Sequence, residues 1–169
     1  MKKFAVLLAT LAAGIGSGSV FAQTCGSPTS IAGSAPFSIS GNSCTSPTGT
    51  GVDSLTDICN STLPIGTAPD VVYQISLGAG NNTSFTVTPT GWDASLFLVG
   101  PGSCGPSANC AGAAESGGSG VAETIPAASQ TAGTYYVVVT SFATTGNCGA
   151  YNLSIPGPVP VSLQSFSVE

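Results

Sequence analysis

Thr134-Tyr135-Tyr136-Val137-Val138-Val139-Thr140-Ser141-Phe142 decides the fold. Read with a period of two, Tyr135, Val137 and Val139 point one way, and Tyr136 and Val138 point the other. A strand that is apolar on both sides belongs in the middle of a sheet, with something covering each face. The same period recurs outward from it. It predicts strands over Ala35–Ser40, Asp70–Leu77, Thr83–Pro89, Ala94–Val99, Val121–Ile125, Ala150–Ile155 and Val161–Val168. Turn signals separate them at Gly78–Asn82, Pro89–Gly91, Ala111–Gly120 and Thr144–Asn147. No window of useful length carries helical periodicity. The expectation is an all-β chain of about eight strands in two packed antiparallel sheets, a sandwich or jelly roll.

The ends of the chain read differently. Lys2 and Lys3, the apolar run Phe4–Ala13 and the small residues of Val20-Phe21-Ala22 have the layout of a secretory signal peptide, with cleavage expected between Ala22 and Gln23. A lipoprotein reading would need a small-residue box directly before a cysteine, and Cys25 follows Gln23 and Thr24 instead. Residues 23–155 are then one β-sandwich domain, and 156–169 a connector stiffened by Pro156, Pro158 and Pro160 with a terminal strand. No later stretch has 18 uninterrupted apolar residues, so a secreted protein, periplasmic or extracellular, with no membrane span is expected.

Charge narrows the chemistry. The chain of 169 residues has two basic residues, no histidine and seven acids, and both basic residues lie in the leader. The exported part therefore has no imidazole base, no lysine for a Schiff base and no cationic groove for a nucleic acid backbone. Paired carboxylates could still do acid and base work, but the acids are scattered and no Asp-Thr-Gly or Asp-Ser-Gly motif is present. The six cysteines all lie in the exported part, which predicts three disulfides. A zinc site would favour close Cys-x2-Cys pairs, and none occurs. Spacing suggests that Cys104 and Cys110 close a short loop and Cys44 and Cys59 another, leaving Cys25 for Cys148.

The succession APDVVYQISL (68–77), TSFTVTPTGWDASLFLVGP (83–101), a cysteine-bracketed loop, AGTYYVVVTSF (132–142) and CGAYNLSI (148–155) resembles the bacterial pre-peptidase C-terminal domain family. The shared features are an Asp-Val-x-Tyr strand, Asp93 before a Leu-x-Leu strand, a Gly-Thr-Tyr-Tyr strand and a Gly-x-Tyr-x-Leu strand. The resemblance implies a jelly-roll module of the kind appended to secreted enzymes, here standing alone and non-catalytic. Many cysteine-containing relatives follow the second loop cysteine with paired acids, where this chain has Ala111, Gly112, Ala113 and Ala114 before Glu115. Some relatives bind calcium.

Candidate site residues are few. Asp53 and Asp57 could offer oxygens to calcium, which is expected as an optional stabiliser and not a required cofactor. The competing reading is a solvated acidic loop. Asp70 and Asp93 stand at strand starts, where carboxylates accept turn N–H bonds. Trp92 is either a binding-face aromatic or a packing residue at the sandwich end. The function expected is binding or adhesion to an extracellular polymer, cell surface or partner protein. The alternative is a self-associating matrix protein, because the strand edges lack the lysines that block edge pairing.

Overall fold

The computed structural model describes residues 24–46, 59, 68–105, 108–142 and 147–157. Nine strands form in them: β1 (Thr29–Ser30), β2 (Phe37–Asn42), β3 (Val71–Leu77), β4 (Phe85–Pro89), β5 (Ala94–Val99), β6 (Cys110–Ala114), β7 (Glu123–Ile125), β8 (Gly133–Ser141) and β9 (Ala150–Ile155). One 3-10 turn, Ser43–Thr45, follows β2, and the Asn42 side chain caps it by accepting from the Cys44 N–H at 3.0 Å.

Two sheets pack face to face. One has the order β1-β3-β8-β5-β6 and the other β2-β9-β4-β7. The doubly apolar strand β8 is the central strand of its sheet, flanked by β3 and β5. Its Tyr135, Val137 and Val139 face the other sheet with Tyr73, Ile75, Leu96, Phe85, Val87 and Leu153. Its Val138 faces outward into a second cluster with Val72, Phe97, Val99 and Ala108. Each such side chain taken out of water contributes about 1.5–3 kcal/mol, so the outer face needs a cover as much as the inner one.

That need accounts for the disulfides, and here the expected pairing is corrected. The bonds are Cys25–Cys104, Cys44–Cys148 and Cys59–Cys110. Cys104 and Cys110 do not pair: Cys110 begins β6 and is bonded to Cys59, and Cys104 is bonded to Cys25. Cys25, Cys59 and Cys104 lie against the outer cluster instead, holding flanking segments over Phe97 and Val138. Cys44 and Cys148 continue the register of β2 on β9, two positions beyond the pair Asn42↔Ala150. The pairings of Cys44 with Cys59 and of Cys25 with Cys148 fail because the β2–β9 register sets Cys44 opposite Cys148.

Two more expectations change. β6 lies where a turn was expected, its small residues Cys-Ala-Gly-Ala-Ala carrying no alternation to signal it; it forms because β5 offers an open edge. The five-stranded sheet is mixed, since β1 runs parallel to β3. The expected strand Val161–Val168, like the leader and its Ala22–Gln23 junction, lies outside the described residues.

Candidate functional site

Among the described residues the sandwich is open on one side, between edge strands β1 and β2. Tyr73 on β3 and Tyr151 on β9 reach toward each other from opposite sheets, and their hydroxyls meet at 2.8 Å. Each is 3% exposed. Burial pushes both phenols above their ordinary range. For Tyr73 the bond to Tyr151 partly offsets this, and for Tyr151 the neighbouring Tyr73 adds to it.

Beside this pair lies a cavity of about 300 Å³. Ile39, Gly41 and Val71 give it apolar walls, and Thr29, Asn42 and Ser46 bring polar groups to its rim. None of the described residues that line it is charged. Gly41 is required by the local fold: it stands opposite Tyr151 in the β2–β9 register, and a Cβ there would lie 2.4 Å from the Tyr151 ring. Phe37 and Ile39, on the same inner face, pack against the core yet stay half-buried, because β2 is an edge.

Among the described residues, β2 is an edge of its sheet. Ala150 gives its carbonyl to Thr90 N–H on the β4 side, and Ser43 N–H donates to Gly149 O. By the alternation of an antiparallel ladder, Phe37, Ile39 and Gly41 direct their backbone groups to β9, while Ser38, Ser40 and Asn42 direct theirs outward. Among the described residues β2 pairs only with β9. The Asn42 carbonyl is taken by Thr45 Oγ1 at 2.8 Å, while Ser38 and Ser40 have no strand on their outer side among the described residues.

None of the described acids lines the cavity. Asp93 precedes β5, Glu115 follows β6 and Glu123 begins β7, all toward the opposite edges. Glu123 is 3% exposed, and its carboxylate accepts the N–H groups of Ser116 and Gly117. Asp70 is buried at the start of β3. Asp53 and Asp57, the calcium candidates, lie outside the described residues; among the described residues no three His, Cys, Asp or Glu side chains are grouped to hold a metal. Trp92 is corrected as a binding-face candidate: it is 3% exposed, its indole N–H donates to Ala150 O at 2.9 Å, and it packs on Gly149. Its role is to close the sandwich end. The tyrosine pair was the functional feature missed in the sequence, and the available signal was an inward tyrosine on each of two strands of opposite sheets.

Among the described residues no helix is long and apolar enough to cross a membrane. A crystal structure of the pre-peptidase C-terminal domain of a collagenase from Bacillus anthracis is 16% identical, covers 75% of this chain and 92% of its own, and superposes with a TM-score of 0.47. PliG from Aeromonas hydrophila, a periplasmic inhibitor of g-type lysozyme, is 14% identical, covers 75% and 94%, and has a TM-score of 0.42. No curated protein sequence matches the chain. The family model of the bacterial pre-peptidase C-terminal domain matches residues 71–141, from the first residue of β3 to the last of β8, which bears out the resemblance over that stretch.

Proposed function

We propose that the protein is an exported, non-catalytic β-sandwich module that binds a polymer, cell surface or partner protein through the open side between β1 and β2. The observation that carries this is the cavity beside Tyr73 and Tyr151, uncharged among the described residues, opening at a strand edge that pairs there only with β9. Such an edge suits an extended polypeptide, which would add a strand to β2 and turn alternate side chains into the cavity. An uncharged ligand segment suits the described walls, which offer neither cation nor carboxylate.

The leader and three disulfides support export to an oxidising compartment. The absence of histidine, and of any lysine or arginine after Lys3, supports binding over catalysis.

Retention tests the reading. The exported protein is passed over immobilised extended peptides, chitin, cellulose and peptidoglycan, beside a Ser40→Lys variant that places a charge on the open edge. Retention on peptides, weakened about tenfold or more in the variant, is expected, with no soluble product released. Equal retention of both proteins, or turnover of any probe, would overturn it.

A further inference from the structure

We propose that the Cys44–Cys148 disulfide is a redox-sensitive latch on the cavity beside Tyr151: oxidised, it holds one wall in place, and reduced, it lets that wall loosen. The inference rests on the cavity being the binding site and adds its regulation.

Asn42, Thr45 and Ser46, which line the cavity, belong to the 3-10 turn that carries Cys44 and to its caps. Tyr151, which lines it too, follows Cys148 on the β9 side. The β2–β9 register ends at Asn42↔Ala150. One step further, Ser43 N–H donates to Gly149 O and Gly149 N–H to Ser43 Oγ, both at 3.0 Å. Past that point the hydrogen bonds turn local. Among the described residues those of Cys44, Thr45 and Ser46 close within the turn: Cys44 N–H to Asn42 Oδ1, Thr45 Oγ1 to Asn42 O and Ser46 N–H to Ser43 O. The disulfide is the link that ties this wall to the β9 side. A single 3-10 turn has little stability of its own, so its order depends on that bond.

Exposure selects this disulfide over the others. Cys44 is exposed, while the other five cysteines are half-buried, and Cys25, Cys59 and Cys104 pack against the outer apolar cluster. Exchange needs a thiolate to reach a sulfur, so a dithiol reductant meets Cys44 Sγ first. Its thiolate bonds to Cys44 Sγ as the S–S bond breaks, and Cys148 leaves as thiolate. The second thiol of the reductant then displaces Cys44. The reductant ends as its own disulfide, having given two electrons, and two cysteine thiols remain on the protein. The inner core around Val137 and Leu153 contains neither cysteine, so the sandwich persists while the wall loosens. A ligand must then order the turn itself, which weakens its binding.

Limited reduction with dithiothreitol, trapping with iodoacetamide and peptide mapping should place the first two labels on Cys44 and Cys148. Hydrogen exchange of that sample should be about tenfold or more faster at the Cys44 and Ser46 amides, with Ile39 and Val137 unchanged. The double variant Cys44→Ser with Cys148→Ser, which carries no alkyl label, should show the same fast exchange at Ser46 without any reductant. First labels on another pair, or unchanged exchange at Cys44 and Ser46, overturns the latch. Lost protection at Val137 in the labelled protein overturns it too, because the bond would then support the whole domain and not one wall. Retention on immobilised peptides is read separately and should be weaker after reduction; equal retention of both forms overturns the control of binding, whereas an oxidised protein that retains no peptide fails the binding reading and leaves the latch to the mapping and exchange.

Discussion

The hydroxyl of Tyr73 lies 2.8 Å from that of Tyr151, one from each sheet, and the bond ties the sandwich together at its open side. Both groups are buried, so each depends on the other for a partner. Tyr73→Phe alone should cost about 1–3 kcal/mol, because it strands the Tyr151 hydroxyl. The double change Tyr73→Phe with Tyr151→Phe should cost less than the sum of the two single changes. Urea unfolding of the four proteins measures this; strict additivity would show that the two hydroxyls do not interact.

The same pair sets an alkaline limit. Both phenols are raised above the ordinary value of 10.0 by burial. Below about pH 10 both native and unfolded chains keep these protons, and stability is unaffected. As pH rises further the unfolded chain releases them first, so stability falls from about pH 10 up through the native-state values. Melting temperature followed from pH 8 to 11.5 should drop above 10, and drop less in the double phenylalanine variant. Equal slopes would assign the loss to other groups.

Gly41→Ala probes how closely Tyr151 lies on β2. A Cβ at Gly41 would stand 2.4 Å from the ring and must displace it, so a loss of about 1–3 kcal/mol is expected. Ser40→Ala, one residue away on the exposed face, should change stability by less than about 0.5 kcal/mol. Similar effects at both positions would contradict the packing described here.

Peptide mapping without reductant should recover Cys25 linked to Cys104, Cys44 to Cys148 and Cys59 to Cys110, with no thiol left to titrate. Replacing Cys44 and Cys148 together by serine should cost about 2–5 kcal/mol. Recovery of a Cys104–Cys110 fragment would return the pairing to the one that loop spacing suggests.

Strands whose side chains alternate were legible in the sequence. Ala94–Val99 and Ala150–Ile155 form over the expected residues, and the doubly apolar strand around Val137 and Val138 is central as its composition requires. β6 was not legible, because Ala111, Gly112 and Ala113 have side chains too small to mark a face. Cysteine partners were not legible either, since each bond joins segments that only the sheet order brings together. Trp92 was ambiguous until Gly149 and the Ala150 carbonyl were placed beside it. The Tyr73–Tyr151 contact needed the pairing of the sheets, which no local pattern encodes.

The central claim is that the β2 edge accepts an extended, uncharged strand. Titration of the 15N-labelled protein with a synthetic peptide of residues 36–42, up to about 1 mM, tests it most directly. The account predicts amide shifts concentrated at Ser38, Ser40 and Gly41, with Tyr151 and Val71 following as a peptide side chain enters the cavity. An unchanged spectrum, or shifts confined to Glu115, Gly117 and Glu123 at the opposite edges, would contradict it.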